Sequence, residues 1–88
     1  MHHTIKIAQP YFDAVQEGKK TFEIRFDDRG YQAGDTLTMR EWDVTKRELR
    51  NPGAEYTGRE ITRTIGYVTS FEQKPNMVVF SLLPMAAV

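Results

Sequence analysis

Apolar and polar side chains alternate one for one along several segments of this chain, and one stretch among them changes to a helical period. Residues 3–8 put Ile5 and Ile7 on one side and Thr4 and Lys6 on the other, the pattern of a strand with one buried face. The same period returns at residues 21–26 and 36–42, while residues 59–71, through Ile61, Ile65, Tyr67 and Val68, and the mostly apolar residues 77–83 also read as strands. Between 10 and 17 it changes to a helical one: Pro10 suits a first turn, Tyr11, Ala14 and Val15 follow at helical spacing, and Gly18 supplies the stop. Turn-forming clusters at Asp27-Asp28-Arg29-Gly30, at Ala33-Gly34-Asp35 and around Pro75 separate the strands. One helix and about five to six strands within 88 residues imply a single α+β domain, residues 1–88. Its expected form is a small, strongly curved sheet or barrel with the helix after the first strand covering one opening.

Composition removes several function classes. A hydrophobic content of 40% suits one core near the lower size limit. The absence of Cys excludes disulfides and thiolate metal sites, and adjacent His2 and His3 cannot make a zinc site by themselves. Twelve basic residues balance twelve acidic ones, so the chain lacks the positive field of a protein that grips long duplexes by charge. The longest apolar run, residues 77–85, is interrupted by Ser81 and Pro84 and is too short for a bilayer. No apolar signal region opens the chain. We therefore expect a cytoplasmic monomer with no membrane partner, no metal and no cofactor.

The segment Gly18-Lys19-Lys20-Thr21-Phe22-Glu23-Ile24-Arg25 is the densest in chemistry. On a strand, Phe22, Ile24 and Phe26 are expected to face the core, with Thr21, Glu23 and Arg25 on the other side. Lys20 enters from the turn beside that polar face. An amine, a carboxylate and a guanidinium thus converge within a few residues, although charges on a half-buried strand are ordinarily its solvated side.

Gly18, Lys20, Glu23 and Arg25 also fit the pattern GxKxxExR, and here the chain resembles the activating signal cointegrator homology (ASCH) family, whose domain is a PUA-like β-barrel. Further blocks extend the likeness in the same order: Pro10-Tyr11-Phe12, Asp28-Arg29, Gly34-Asp35, Glu41-Trp42 and Tyr56-Thr57-Gly58-Arg59. They are similar to a short phage- or bacteria-borne branch of that superfamily. The resemblance implies a cleft between barrel and helix suited to RNA or a modified nucleoside. Some very small bacterial members are amidohydrolases that remove the acyl group of N4-acetylcytidine with the signature Lys, a Thr three residues later and a Glu from another segment. This chain keeps the Lys as Lys20 and has Glu23 at the position of that Thr.

The resemblance thus leads to an expected metal-independent amidohydrolase acting on N4-acylated cytidine, with Lys20, Glu23 and Arg25 as its catalytic residues. Amide hydrolysis needs an activated water, a donor for the oxyanion and a proton for the leaving amine. Glu23 can orient or deprotonate the water, Lys20 can serve the oxyanion and N4, and Arg25 can hold Glu23. Thr21, Glu41, Trp42, Tyr56 and Arg59 are expected around the substrate, with Trp42 and Tyr56 stacking a base. Tyr11 is expected to seal the core, and His3 to be a structural histidine at the barrel mouth. Arg59 and Arg63 are candidates for phosphate. Residues 43–58 read as a long polar loop whose Lys46-Arg47-Glu48-Leu49-Arg50 run suggests an arm over the cleft. The alternative function is a non-catalytic module that binds RNA or a modified nucleoside.

Overall fold

The computed structural model describes residues 1–46, 53 and 55–84. Its elements follow in the order β1 (His2–Ala8), α1 (Gln9–Gln16), β2 (Phe22–Phe26), β3 (Thr36–Trp42), a 3₁₀ turn at Val44–Lys46, β4 (Tyr56–Thr69) and β5 (Met77–Leu83). Strand β4 begins three residues before its expected start at 59, shortening the expected loop from its far side. Residues 47–50, expected as part of a basic arm, lie outside the described residues.

The five strands form one sheet in the order β1-β3-β4-β5-β2. β1 runs parallel to β3 in a register from His2 opposite Thr36 to Ala8 opposite Trp42, and the remaining pairs are antiparallel. The first part of the 14-residue β4 pairs with β3 and its later part with β5. Register shifts interrupt the ladders between Arg40 and Trp42 and between Ile65 and Val68, and such irregularities bend and twist a strand. The sheet accordingly curls into a half-barrel, with β1 and β2 as its edges.

Two arginines bridge those edges. Arg25 Nη2 donates to the Lys6 carbonyl at 2.9 Å and Arg29 Nη1 to the Thr4 carbonyl at 2.8 Å. Thr4 and Lys6 are two residues apart, so their carbonyls leave the same side of β1. Side chains therefore satisfy the backbone where a closed barrel would have a further ladder.

The concave side holds the core: Ile5 and Ile7 from β1, Leu37 and Met39 from β3, Ile61 and Ile65 from β4, Val78, Phe80 and Leu82 from β5. Helix α1 adds Phe12 and Val15 and packs on β1 and β3. Eight residues make a helix that is marginal alone, so this packing holds it. Its end is defined by Gly18, whose φ of +77° lets the chain turn back while Lys19 N–H bonds the Ala14 carbonyl at 2.9 Å. The expected role of Tyr11 in the core is not observed. Tyr11 is 59% exposed, because Phe12 and Val15 form the inward pair.

Strand β2 departs most from expectation. Phe22, Ile24 and Phe26 point outward at 43%, 50% and 57% exposure, whereas Glu23 is 3% exposed. The charged face is the inner one, opposite Phe80 and Val78 of β5. Ion pairing supplies the physical reason: cations on either side of Glu23 neutralise it inside the curl. Among the described residues, no helix is long and apolar enough to cross a membrane.

Candidate functional site

A cleft of about 620 Å³ opens beside the seam between β1 and β2. Lys20, Glu23 and Arg25 form its polar part; Trp42, Tyr11, Phe22 and Ile24 contribute apolar and aromatic surface, and Lys6 stands at its side. The turn after α1 brings Lys20 to this place. Lys20 N–H bonds the Ala14 carbonyl at 3.0 Å, fixing the start of the strand. Lys20 Nζ then donates to Glu23 Oε1, and Arg25 Nε donates to Glu23 Oε2 at 2.8 Å. The Glu23 side chain is only 4% exposed, against 18% for Lys20 and 28% for Arg25. The carboxylate is the buried hub, and its two cations reach toward the cleft.

Aromatic rings frame those charges. Lys20 Nζ lies 5.5 Å from the Tyr11 ring centre and 5.4 Å from that of Phe22. Lys6 Nζ sits 4.0 Å over the Trp42 ring, a cation–π contact. Three cations, Lys6, Lys20 and Arg25, and one carboxylate line the cleft, so it favours an electron-rich or anionic ligand. Among the described residues, no group of three or more His, Cys, Asp and Glu is arranged to hold a metal ion.

The structure brings Lys20, Glu23, Arg25 and Trp42 together and leaves four other expected site residues outside the cleft lining. Glu41, 1% exposed, accepts from Arg59 Nε at 2.8 Å and Nη2 at 2.6 Å, and from the Thr57 hydroxyl. Arg59 also reaches Asp13 at 2.9 Å and Gln16 at 3.2 Å on α1, and its guanidinium lies 4.6 Å from the Phe12 ring centre. This cluster fastens the helix to β3 and β4. The Arg59 hydrogen bonds hold the Glu41 carboxyl below its ordinary pKa, against the opposing effect of burial. Tyr56 pairs with Trp42 in register and lies under the Arg40 guanidinium at 3.8 Å. Thr21 is exposed beside a separate cavity, its carbonyl accepting from Leu82 N–H at 2.8 Å.

Sequence reasoning missed Lys6 and Tyr11 as cleft residues. Lys6 alternates with Ile5 and Ile7, and that parity marks it only as outward. For Tyr11 a usable signal existed, since Phe12 and Val15 at i and i+3 suffice for the buried stripe of so short a helix.

A second polar cluster serves the fold. His3 Nε2 lies 2.8 Å from Asp35 Oδ2, which also accepts from Gln32 N–H at 3.1 Å. The Met1 amine reaches Asp35 Oδ1 at 3.1 Å. The His3 hydrogen bond, followed by that of the Met1 amine, lowers the Asp35 pKa from 3.8 to about 2. His3 also packs 4.9 Å from Tyr31, whose ring lies 4.8 Å from Phe80. Burial raises the pKa of the Tyr31 hydroxyl. His3 is thus a core-facing histidine with a carboxylate partner.

Residues 2–82 match the family described as Domain of unknown function (DUF3850). A relative described as "Uncharacterized 12.9 kDa protein in GpA 3'region", from Escherichia phage P2, is 40% identical over 67 residues. The aligned region covers 76% of this chain and 53% of that protein, so the chain spans about half the length of this curated relative. With a match running from β1 into β5, the chain belongs to the DUF3850 family.

Proposed function

We propose that this domain is an ASCH-like, PUA-like half-barrel whose cleft binds an N4-acylated cytosine nucleoside and hydrolyses its exocyclic amide. The observation that carries the reading is the Lys20–Glu23 pair set among aromatic side chains. Trp42 and Tyr11 offer flat surfaces for a base, and the acyl amide then lies toward Lys20.

The chemistry follows from the residues in place. Each carboxylate oxygen can accept more than one hydrogen bond, so Glu23 can hold a water while it keeps Arg25. Glu23 takes a proton from that water as the oxygen bonds to the acyl carbon. Lys20 faces the oxyanion that develops. Collapse breaks the bond from carbon to N4, N4 takes a proton from Lys20, and Lys20 regains one from Glu23. One water is consumed; a carboxylic acid and the cytosine nucleoside leave.

The test is release of cytidine from N4-acetylcytidine by the wild type, Lys20→Ala and Glu23→Gln, each at a temperature where its folded state is verified. The wild type is expected to turn over, and each variant to lose roughly 10²-fold or more of the rate. No cytidine from the wild type, from mildly acid to mildly alkaline pH, overturns hydrolysis.

A second reading, a binding module for a modified nucleoside or RNA without catalysis, is favoured by one observation. Both oxygens of Glu23 already accept from cations, which suits a purely positioning carboxylate. Ligand-dependent quenching of Trp42 emission at low salt, with no turnover, selects this reading.

A further inference from the structure

Lys20 lines a second, smaller cavity of about 220 Å³ as well as the main cleft. Its other polar lining residues are Arg63, Gln16 and Thr21. Among the described residues, no carboxylate lines it. The volume is below that of a site for a whole nucleoside-sized ligand and adequate for a tetrahedral oxyanion.

Arg63 is the unusual member. It shares strand parity with the buried Ile61 and Ile65 and is itself half-buried. The other described arginines each have a carboxylate partner: Arg25 has Glu23, Arg29 has Asp28, Arg40 has Glu60, and Arg59 has Glu41. Among the described residues, the Arg63 guanidinium makes one hydrogen bond, to the neighbouring Thr62 carbonyl at 3.0 Å. A guanidinium carries five donors, so most of its capacity is not taken up by the described residues. Gln16 contributes in the same sense. Its side-chain oxygen is taken by Arg59, which leaves its amide N–H groups as the available donors. With the Thr21 hydroxyl, the cavity offers donors around Arg63, a cation with no carboxylate partner among the described residues, while Lys20 at its border is already paired with Glu23.

We propose that this cavity is a phosphate subsite, held by Arg63 with Gln16 and Thr21, and that Lys20 joins it to the base-binding cleft. The joining of the two rests on the nucleoside reading given above; the phosphate subsite itself does not. The ligand is then a nucleotide, and its phosphate is either a terminal monoester or an internal diester of an RNA chain.

The experiment has two arms. In the first, inorganic phosphate is titrated into the ¹⁵N-labelled protein at low salt while the Arg63 Nε–H, the Gln16 side-chain amide and the Thr21 amide are followed. Saturable shifts in the wild type, of which those at Gln16 and Thr21 disappear in Arg63→Gln and persist, weakened, in Arg63→Lys, support the subsite; absence of shifts in the wild type overturns it, whatever the variants do. In the second arm, affinities are compared for N4-acetylcytidine, its 5′-monophosphate and a trinucleotide carrying the same base centrally. Charged hydrogen bonds to phosphate imply a gain of at least about tenfold over the nucleoside, lost in Arg63→Gln and reduced by added salt. A gain confined to the monophosphate identifies a monoester ligand, and one confined to the trinucleotide a diester. Phosphate binding with no nucleotide gain overturns the joining of cavity and cleft. Phosphate binding with no affinity for any of the three base ligands supports the subsite and removes the nucleoside reading alone.

Discussion

Replacing Glu23 by Gln probes the inverted strand most directly. Glutamine keeps the shape but removes the charge, leaving Lys20 and Arg25 facing each other across a neutral group, one of them against an amide donor. Taking one partner from a buried ion pair costs about 3–5 kcal/mol. Because Lys20 and Arg25 keep 18% and 28% of their side-chain surface in solvent, the low end applies, about 3 kcal/mol. In a domain of this size each kcal/mol moves the melting temperature by roughly 4–8 °C, so a fall of at least about 12 °C is expected. Thermal and urea unfolding followed through Trp42, the sole tryptophan, measures it. A double-mutant cycle with Arg25→Gln adds a coupling of about 1 kcal/mol or more, since the two groups are in contact. Ile24→Thr, on the exposed face, is the control and is expected to stay within about 0.5 kcal/mol. The reasoning is refuted if the two results are exchanged, with Ile24→Thr costly and Glu23→Gln neutral. That outcome would put the apolar face of β2 in the core.

Three further outcomes follow from other parts of the fold. A Cβ at Gly66 would lie 2.7 Å from Ser81 Oγ and 2.8 Å from Leu83 Cδ2, and Ser81 Oγ is held by Tyr67 N–H at 2.9 Å. Gly66→Ala is therefore expected to cost about 1–3 kcal/mol by overpacking, and Ser81→Ala in the same chain to recover part of it, as read by thermal unfolding. Asp35 has its pKa lowered from 3.8 to about 2, so its contribution is complete above its unfolded value and disappears as pH falls through the folded one. Melting temperature should drop between about pH 4 and pH 2 in the wild type, with a shallower slope in Asp35→Asn; equal slopes would contradict the assignment. Arg29→Gln removes the bond to the Thr4 carbonyl and should speed amide exchange in β1 while the β3–β4 amides keep their protection.

Much of this architecture is legible in the alternation of side chains, because a strand with one buried face writes its period into the sequence. Strand β3 matches residue for residue, its Leu37 and Met39 leaving no ambiguity of face. Strand β2 is as periodic, yet which face turns inward depends on cations supplied by a turn, Lys20, and by the strand itself, Arg25. Hydrophobicity alone gives the wrong sign there. The candidate site divides in the same way. Lys20, Glu23 and Arg25 are neighbours in sequence, so local geometry unites them. Glu41 and Arg59 belong to the sequence blocks that carry the family resemblance, and the fold sets them outside the cleft lining, paired with each other. Their partners Asp13 and Gln16 sit on α1, more than forty residues from Arg59, a pairing invisible to strand parity.

The inward charges of β2 also bear on how copies of this protein meet. An edge strand carrying Phe22, Ile24 and Phe26 on its outer face resembles a template for adding another strand. A one-residue slip of β2 would exchange its two faces, giving a greasier and superficially better packed sheet. Glu23 and Arg25 would then lose the partners that neutralise them, and the Lys6 carbonyl would lose its donor. The edge is thereby committed to a single partner within its own chain, which discourages both the slipped sheet and the fibre that could grow from it.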